Sequence, residues 1–255
     1  MMDVSKIRDG ISTPVEIKMY DITDSTNLRA KEYAADCDGH VPVLFIAKEQ
    51  SAGRGRLGRQ FLSRANSGIY MSLLYFTDSH IADAVSITTA AAVFVAEGIE
   101  SVTDKPMKIK WVNDVYSDMG KVSGILTESL RIGDKNAIIV GIGINTGNVD
   151  FPDELKGIAA TVGNIEGREN ELITYIIERL IDQSRKPQCR KYMNGYRERF
   201  MLAGQFVTLY KGGEAVGEGT VRGVTDDGGL VFLRDGEEEE EIIHSGEVTV
   251  RKVNS

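Results

Sequence analysis

The sequence predicts an α+β protein: a mixed or antiparallel sheet with helices packed on it, followed by a smaller all-β unit. Three observations lead there. Strand-like stretches arrive in runs broken by helical ones instead of alternating strictly with them, which argues against a purely parallel sheet. Neighbouring strands are separated only by turn sequences, "MGK" at 119–121 and "IGDKN" at 132–136, short enough for hairpins. After residue 202 the texture changes to short strands spaced by "KGGE", "DDGG" and "DGEE", the pattern of a small barrel. The resulting boundaries are an N-terminal tail over 1–14, a main domain over 15–202 and a C-terminal unit over 203–255.

Each element has its own signal. "VEIKMYD" (15–21) alternates as a strand, and Asp24 and Ser25 offer N-caps for a short helix reaching about Cys37. "VPVLFIA" (41–47) is apolar on both faces, as a buried central strand is. A glycine- and arginine-rich loop follows it. "SGIYMSLLYF" (67–76) reads as a strand and 83–102 as a long, mostly apolar helix. Three strands come next, at 107–112, 121–129 and 136–145, then helical segments at about 170–185 and 189–201. The acidic run at 237–241 reads as a solvated strand or turn edge. No internal repeat is present.

Composition narrows the function. Lys and Arg total 30 against 38 Asp and Glu, a net charge of -8, the wrong balance for a protein whose main task is neutralising nucleic-acid phosphates. The two cysteines, Cys37 and Cys189, have no metal-ligand spacing and make no disulfide framework, which fits a reducing cytoplasm. The start has no signal-peptide pattern, and the longest apolar run, at 137–144, falls well short of the roughly 20 residues that cross a bilayer. The expectation is a soluble cytoplasmic protein with no membrane partner.

Four stretches carry chemistry. In "QSAGRGRLGRQF" (50–61), Arg54, Arg56 and Arg59 alternate with glycines, a composition that pays for its own order only by holding something. It is not a Walker A loop, and arginines would crowd a Rossmann-type pyrophosphate site. It suits closure over an anion, or else is a solvated basic turn or an RNA-binding segment. In "KIKWVNDVY" (108–116), Lys110, Asn113 and Asp114 sit at a strand end: Lys110 suits a phosphate and Asp114 a divalent cation or a ligand hydroxyl or ureido group, with an ordinary Asn-Asp turn as the alternative. Trp111 reads as core. "GKVSGILTES" opens with Lys121 and holds Gly124, a strand glycine of the kind that marks a bulge or a ligand's approach. "GIGIN" (141–145) leaves one strand face bare for a flat ligand or a neighbouring backbone, with Asn145 beside it.

Taken in order, "DSTN" (24–27), "QSAGRGRLGR" (50–59), "KWVND" (110–114), "GKVSGILTE" (120–128), "GIGIN" (141–145) and "GEVTVR" (246–251) resemble the biotin protein ligase family from about Asp24 to the C-terminus. The resemblance implies a class II synthetase-like catalytic domain followed by an SH3-like barrel. It implies activation of biotin by Mg-ATP to biotinyl-5′-AMP and transfer to a lysine of a biotin carboxyl carrier domain, by a homodimeric enzyme. Carried over by position, Ser25, Thr26, Asn27 and Gln50 would bind biotin's rings. Arg54, Gly55 and Arg56 would line its tail and the adenylate phosphate, with Gly124 close by. Lys121 would face the reacting carboxylate and phosphate, Lys110 and Asp114 the phosphates and Mg2+. Arg59, Phe61, Asn113 and Asn145 would shape the nucleotide side, and Glu247 and Arg251 would face the catalytic domain from the barrel. Val112 stands where the family often has proline, and Phe61 where it often has tryptophan. The family's N-terminal helix-turn-helix has no counterpart pattern before Val15, which predicts no specific DNA binding. Lipoate–protein ligase is the nearest rival enzyme, and a biotin-responsive or RNA-binding regulator the non-enzymatic one.

Overall fold

The computed structural model describes residues 2–37, 41–77, 84–244 and 248–252. A seven-stranded mixed sheet is built from β1 (Glu16–Thr23), β2 (Val43–Gln50), β3 (Gly68–Thr77), β4 (Lys108–Lys110), β5 (Asp114–Ser117), β6 (Gly120–Ile132) and β7 (Lys135–Asn145), in the order β1-β2-β3-β7-β6-β5-β4. Only β1 and β2 run parallel, and the helix α2 (Thr26–Asp36) lies between them in sequence. The remaining neighbours are antiparallel, including the β5–β6 and β6–β7 hairpins that the turn sequences predict.

Side-chain alternation divides the sheet into two faces. On one, Val43 and Phe45 of β2, Leu74 of β3, and Ala137 and Ile139 of β7 pack against Ala30 and Ala34 of α2. The larger core lies on the other face, under α3 (Ala84–Thr103) and α4 (Glu169–Arg185). α4 is amphipathic: Leu172, Ile173, Ile176, Ile177, Leu180 and Ile181 recur at three- and four-residue steps and are buried. α3 is long and apolar enough to cross a bilayer, yet 67% of its apolar window is buried within the fold, so it serves as the core helix. α5 (Tyr192–Arg199) completes this layer.

Three expectations change here. Within the segment read as a tail, Val4–Gly10 form a helix, α1. Asp3 caps it, accepting from the Ser5 and Lys6 amides, and Ile7 is fully buried. The Asp3 amide donates to Asn170 Oδ1 of α4 at 2.8 Å, so the helix is held by tertiary contacts that a seven-residue periodicity is too short to announce. The strand read over 107–112 stops at Lys110, and the chain turns through 111–113 into the separate strand β5. β2 is buried on both faces, as predicted, but lies second from the edge; β7 holds the centre.

The second unit is a five-stranded antiparallel sheet of β8 (Phe206–Lys211), β9 (Glu214–Val224), β10 (Leu230–Arg234), β11 (Glu240–Ile243) and β12 (Val248–Lys252), in the order β11-β10-β9-β8-β12. Its acidic segment is the expected solvated edge, where Glu241 pairs with Arg234 at 2.7 Å. Trp111 anchors the unit to the main sheet: its ring is 5% exposed, and Nε1 donates to the Gly228 carbonyl at 2.9 Å. A side chain at Gly228 would begin 2.9 Å from Val85 of α3, so the 225–229 turn sits tightly in place. Trp111→Phe keeps the ring packing and strands that carbonyl, so urea unfolding should show a loss of about 1–3 kcal/mol.

Candidate functional site

α2 covers only part of its sheet face. Beyond its N-terminus the odd-numbered β7 residues become Gly141, Gly143 and Asn145, and a cavity of about 730 Å³ opens over them. The second wall is the arginine–glycine loop, which folds back as an irregular hairpin. Phe61 donates its amide to the Gly53 carbonyl at 2.9 Å and Gly55 its amide to Arg59 at 2.7 Å, with Leu57 and Gly58 both at positive φ at the tip. A β-carbon on Gly53 would fall 2.3 Å from the Phe61 carbonyl, which is why that position is glycine. The third wall is the β4–β5 hairpin with the start of β6.

One end of the cavity is a chain of neutral polar groups. Thr26 donates its amide to Gln50 Oε1 at 2.8 Å, and Gln50 Nε2 donates to Ser63 Oγ at 2.8 Å. Ser72, fully buried on β3, lies 2.7 Å from Thr26 Oγ1 and 2.6 Å from Asn27 Oδ1. Ser25 sits at the N-cap of α2 but its hydroxyl makes no capping bond. Parallel register brings this end together: Thr23 of β1 pairs with Gln50 of β2, and the Ser51 and Ala52 amides donate to Thr23 and Asp24.

The other end is charged. Lys121 Nζ lies 2.7 Å from Asp114 Oδ1, both side chains about a quarter exposed. Arg56 Nη1 donates to Asn113 Oδ1 at 3.1 Å, and Asn113 Nδ2 donates to the Ile125 carbonyl at 2.9 Å. Burial pulls the Arg56 guanidinium below the usual arginine range, with the Asp114 charge opposing. Burial, helped by Asp114, pushes the Tyr116 hydroxyl up to about 12. Among the described lining residues, Arg54, Arg56, Arg59, Lys110 and Lys121 supply five cations and Asp114 the one carboxylate, in a chain of net charge -8. Such a surplus, partly withdrawn from water, is suited to a polyanion.

The structure thus gathers Ser25, Thr26, Asn27, Gln50, Arg54, Gly55, Arg56, Arg59, Phe61, Lys110, Asn113, Asp114, Lys121, Gly124 and Asn145 around one cavity. Glu247 lies outside the described residues, and Arg251 is described only through its backbone in β12. The bare face of 141–145 is not empty: a β-carbon on Gly141 would meet Asn27 Oδ1 at 2.1 Å, and one on Gly143 the Phe61 ring at 2.4 Å. Asn145 lines the cavity, but its Nδ2 donates to the Ala160 carbonyl at 3.1 Å, which ties it to a neighbouring loop. Sequence reasoning missed that loop, whose Phe151, Leu155, Ile158 and Ala159 close the cavity beside Lys121. The Lys121 amide donates to Ile158 and its carbonyl accepts from Ala160. Trp111, read as core, serves both as core and as lining.

A protein-built metal centre does not fit these residues. Asp114 is the only carboxylate on the cavity, it is paired with Lys121, and no group of three potential ligands occurs among the described residues.

The model of the biotin/lipoate A/B protein ligase family matches residues 19–145. The bifunctional ligase/repressor BirA of Bacillus spizizenii is 38% identical over 173 residues, 65% of this chain and 52% of that protein. The biotin–[acetyl-CoA-carboxylase] ligase of Mycobacterium tuberculosis is 29% identical over 223 residues, 82% of this chain and 79% of its own. The solved biotin protein ligase of Aquifex aeolicus, in complex with biotin and ATP, superposes with a TM-score of 0.76 at 29% identity, covering 93% of this chain and 99% of that one. The chain spans about half the length of the Bacillus relatives it matches.

Proposed function

The chain belongs to the biotin/lipoate A/B protein ligase family, and on that premise we propose that it is a biotin protein ligase. It joins biotin's carboxylate to the α-phosphate of ATP, releasing pyrophosphate, and passes the biotinyl group from biotinyl-5′-AMP to a lysine of a biotin carboxyl carrier domain. The observation that carries this reading is the polarity of one cavity: uncharged hydrogen-bonding groups at one end, five cations to one carboxylate at the other. That is the division a neutral head group joined to a reacting carboxylate and a triphosphate requires.

In this reading Ser25, Thr26, Asn27 and Gln50 take the ring system, and Gly55 and Gly124 let the tail approach the backbone. Lys121 sits where negative charge builds as carboxylate and phosphate meet, and a cation already in place stabilises that transition state without reorganising. Arg54 and Arg56 hold the adenylate phosphate, and Lys110 meets the phosphates leaving as pyrophosphate. Arg59, Phe61, Asn113 and Asn145 shape the nucleotide side. Magnesium arrives on the triphosphate, with Asp114 the nearest carboxylate to it.

In the same reading the catalytic unit is class II synthetase-like over 15–202, and the five antiparallel strands belong to an SH3-like barrel over 203–255. Two free, half-buried cysteines support a cytoplasmic setting. The terminal position of β1 in the sheet, with Ile22 65% exposed, supports self-association into a homodimer, which sedimentation with and without biotin tests. The net negative charge supports the absence of specific DNA binding by this chain. Footprinting at physiological salt should show no saturable, sequence-selective protection with or without biotin, and such protection would refute that part of the proposal.

The deciding experiment is pyrophosphate exchange. Labelled pyrophosphate should enter ATP only when biotin is present, and incubation with biotin, Mg-ATP and a carrier domain should add one biotinyl mass to that domain. Exchange with lipoate and none with biotin would move the chain to the lipoate branch of the family.

A further inference from the structure

Glu128 closes the "GKVSGILTE" stretch but does not line the cavity. We infer that Glu128, held by Lys31, is a positioning residue that turns the Asn27 carbonyl toward the cavity and so selects an acid whose head group carries ring N–H donors. The inference rests on the ligase reading above.

Asn27 is 4% exposed, and both hydrogens of its amide nitrogen are committed: Nδ2 donates to Glu128 Oε2 at 2.8 Å and to the Leu126 carbonyl at 3.3 Å. A carboxylate and a carbonyl only accept, so the nitrogen has to face them and the oxygen has to face away. That oxygen lies 2.6 Å from Ser72 Oγ. It also lies 2.1 Å from where a side chain on Gly141 would begin, on the cavity's floor. Gly141 is bare so that this carbonyl can reach the cavity. The orientation depends on where Glu128 is held: Lys31 Nζ, 2.6 Å from Oε1, takes one carboxylate oxygen and leaves Oε2 for the Asn27 amide.

The consequence is chemical. At Asn27 the cavity presents an acceptor with no donor to spare. A ureido ring brings N–H groups that satisfy it. A dithiolane ring brings none, and binding it would leave the carbonyl with its Ser72 bond alone and its second acceptor position unmet, a mismatch that disfavours the isostere.

The full chain tests this by pyrophosphate exchange with biotin or lipoate as the acid. Glu128→Gln leaves one acceptor oxygen for which Lys31 and Asn27 compete, freeing the amide to turn. KM for biotin should rise roughly tenfold, with kcat at saturating biotin and KM for ATP unchanged, and the preference for biotin over lipoate should fall by a similar factor. Lys31→Met should shift both in the same direction by less, and it stands in if Glu128→Gln does not fold. Variants that keep the wild-type KM and preference overturn the inference. So do variants that lose kcat for both acids alike, which would make the pair a structural brace. Wild-type protein without biotin-dependent exchange overturns the ligase reading, and the inference falls with it.

Discussion

Replacing Lys121 with alanine should slow adenylate formation by about 10²- to 10³-fold while leaving biotin affinity nearly unchanged, the loss expected when one preorganised charge-stabilising group is removed. In the structure Lys121 Nζ is paired with Asp114 at 2.7 Å, and a β-carbon on Gly124 would meet it at 3.2 Å, so its reach is confined to the charged end of the cavity. The pair keeps the ammonium from being an uncompensated charge in a partly buried place. A group so placed contributes little to holding biotin's rings, which sit at the neutral end. Its effect is largest when the carboxylate and the α-phosphate share developing charge. Single-turnover adenylation alongside calorimetric biotin binding separates the two, and unchanged turnover at saturating substrates would reduce Lys121 to a partner for Asp114.

Arg56→Gly is expected to make biotinyl-5′-AMP and fail to keep it. Arg56 is half-buried, burial disfavours its charge while the Asp114 charge favours it, and its Nη1 donates to Asn113 Oδ1 at 3.1 Å. A guanidinium partly withdrawn from water gains by closing on an anion through charge-assisted hydrogen bonds. Ordering loop residues costs about 1–2 kcal/mol each in backbone entropy, and a charge-assisted bond to phosphate contributes about 1.5–3 kcal/mol, so one arginine decides whether the loop stays shut. Release of the adenylate should accelerate on the order of 10- to 100-fold. Mixed with an unrelated lysine-rich protein, the variant should biotinylate it, where wild-type protein should not. A variant that still binds both substrates but forms no adenylate would place Arg56 in the chemical step instead.

Much of this was legible in the chain because it depends on local rules. The hairpins at 119–121 and 132–136 are written in turn residues, and the two-faced apolarity of 43–47 is written in its side chains. The arginine–glycine loop points to an anion through its composition, though on composition alone a solvated basic turn or an RNA-binding segment stays open. What stayed hidden depends on partners distant in sequence. α1 forms because α4 receives it, and its few residues cannot state that. The loop carrying Phe151 to Ala159 has no periodicity, and it becomes a wall only through its bonds to Lys121 and Asn145. The glycines at 141 and 143 predicted a bare face, but not that Asn27 and Phe61 would fill it, because those lie over a hundred and about eighty residues away in the chain.

The parallel pairing of β1 with β2 has an evolutionary corollary. Two parallel strands end on the same edge of a sheet, and here Thr23 and Gln50 are opposite one another in that ladder. The start of the helix leaving β1 and the start of the loop leaving β2 are therefore neighbours by register, whatever lies between them. Residues added at the far end of α2, or to the connection that follows it, change the length of the crossover and leave Thr26 beside Gln50. The head-group pocket is in this sense insulated from insertions in the segment that joins its halves, so this crossover is where lineages and engineers have freedom to graft new surface without rewriting what the protein recognises.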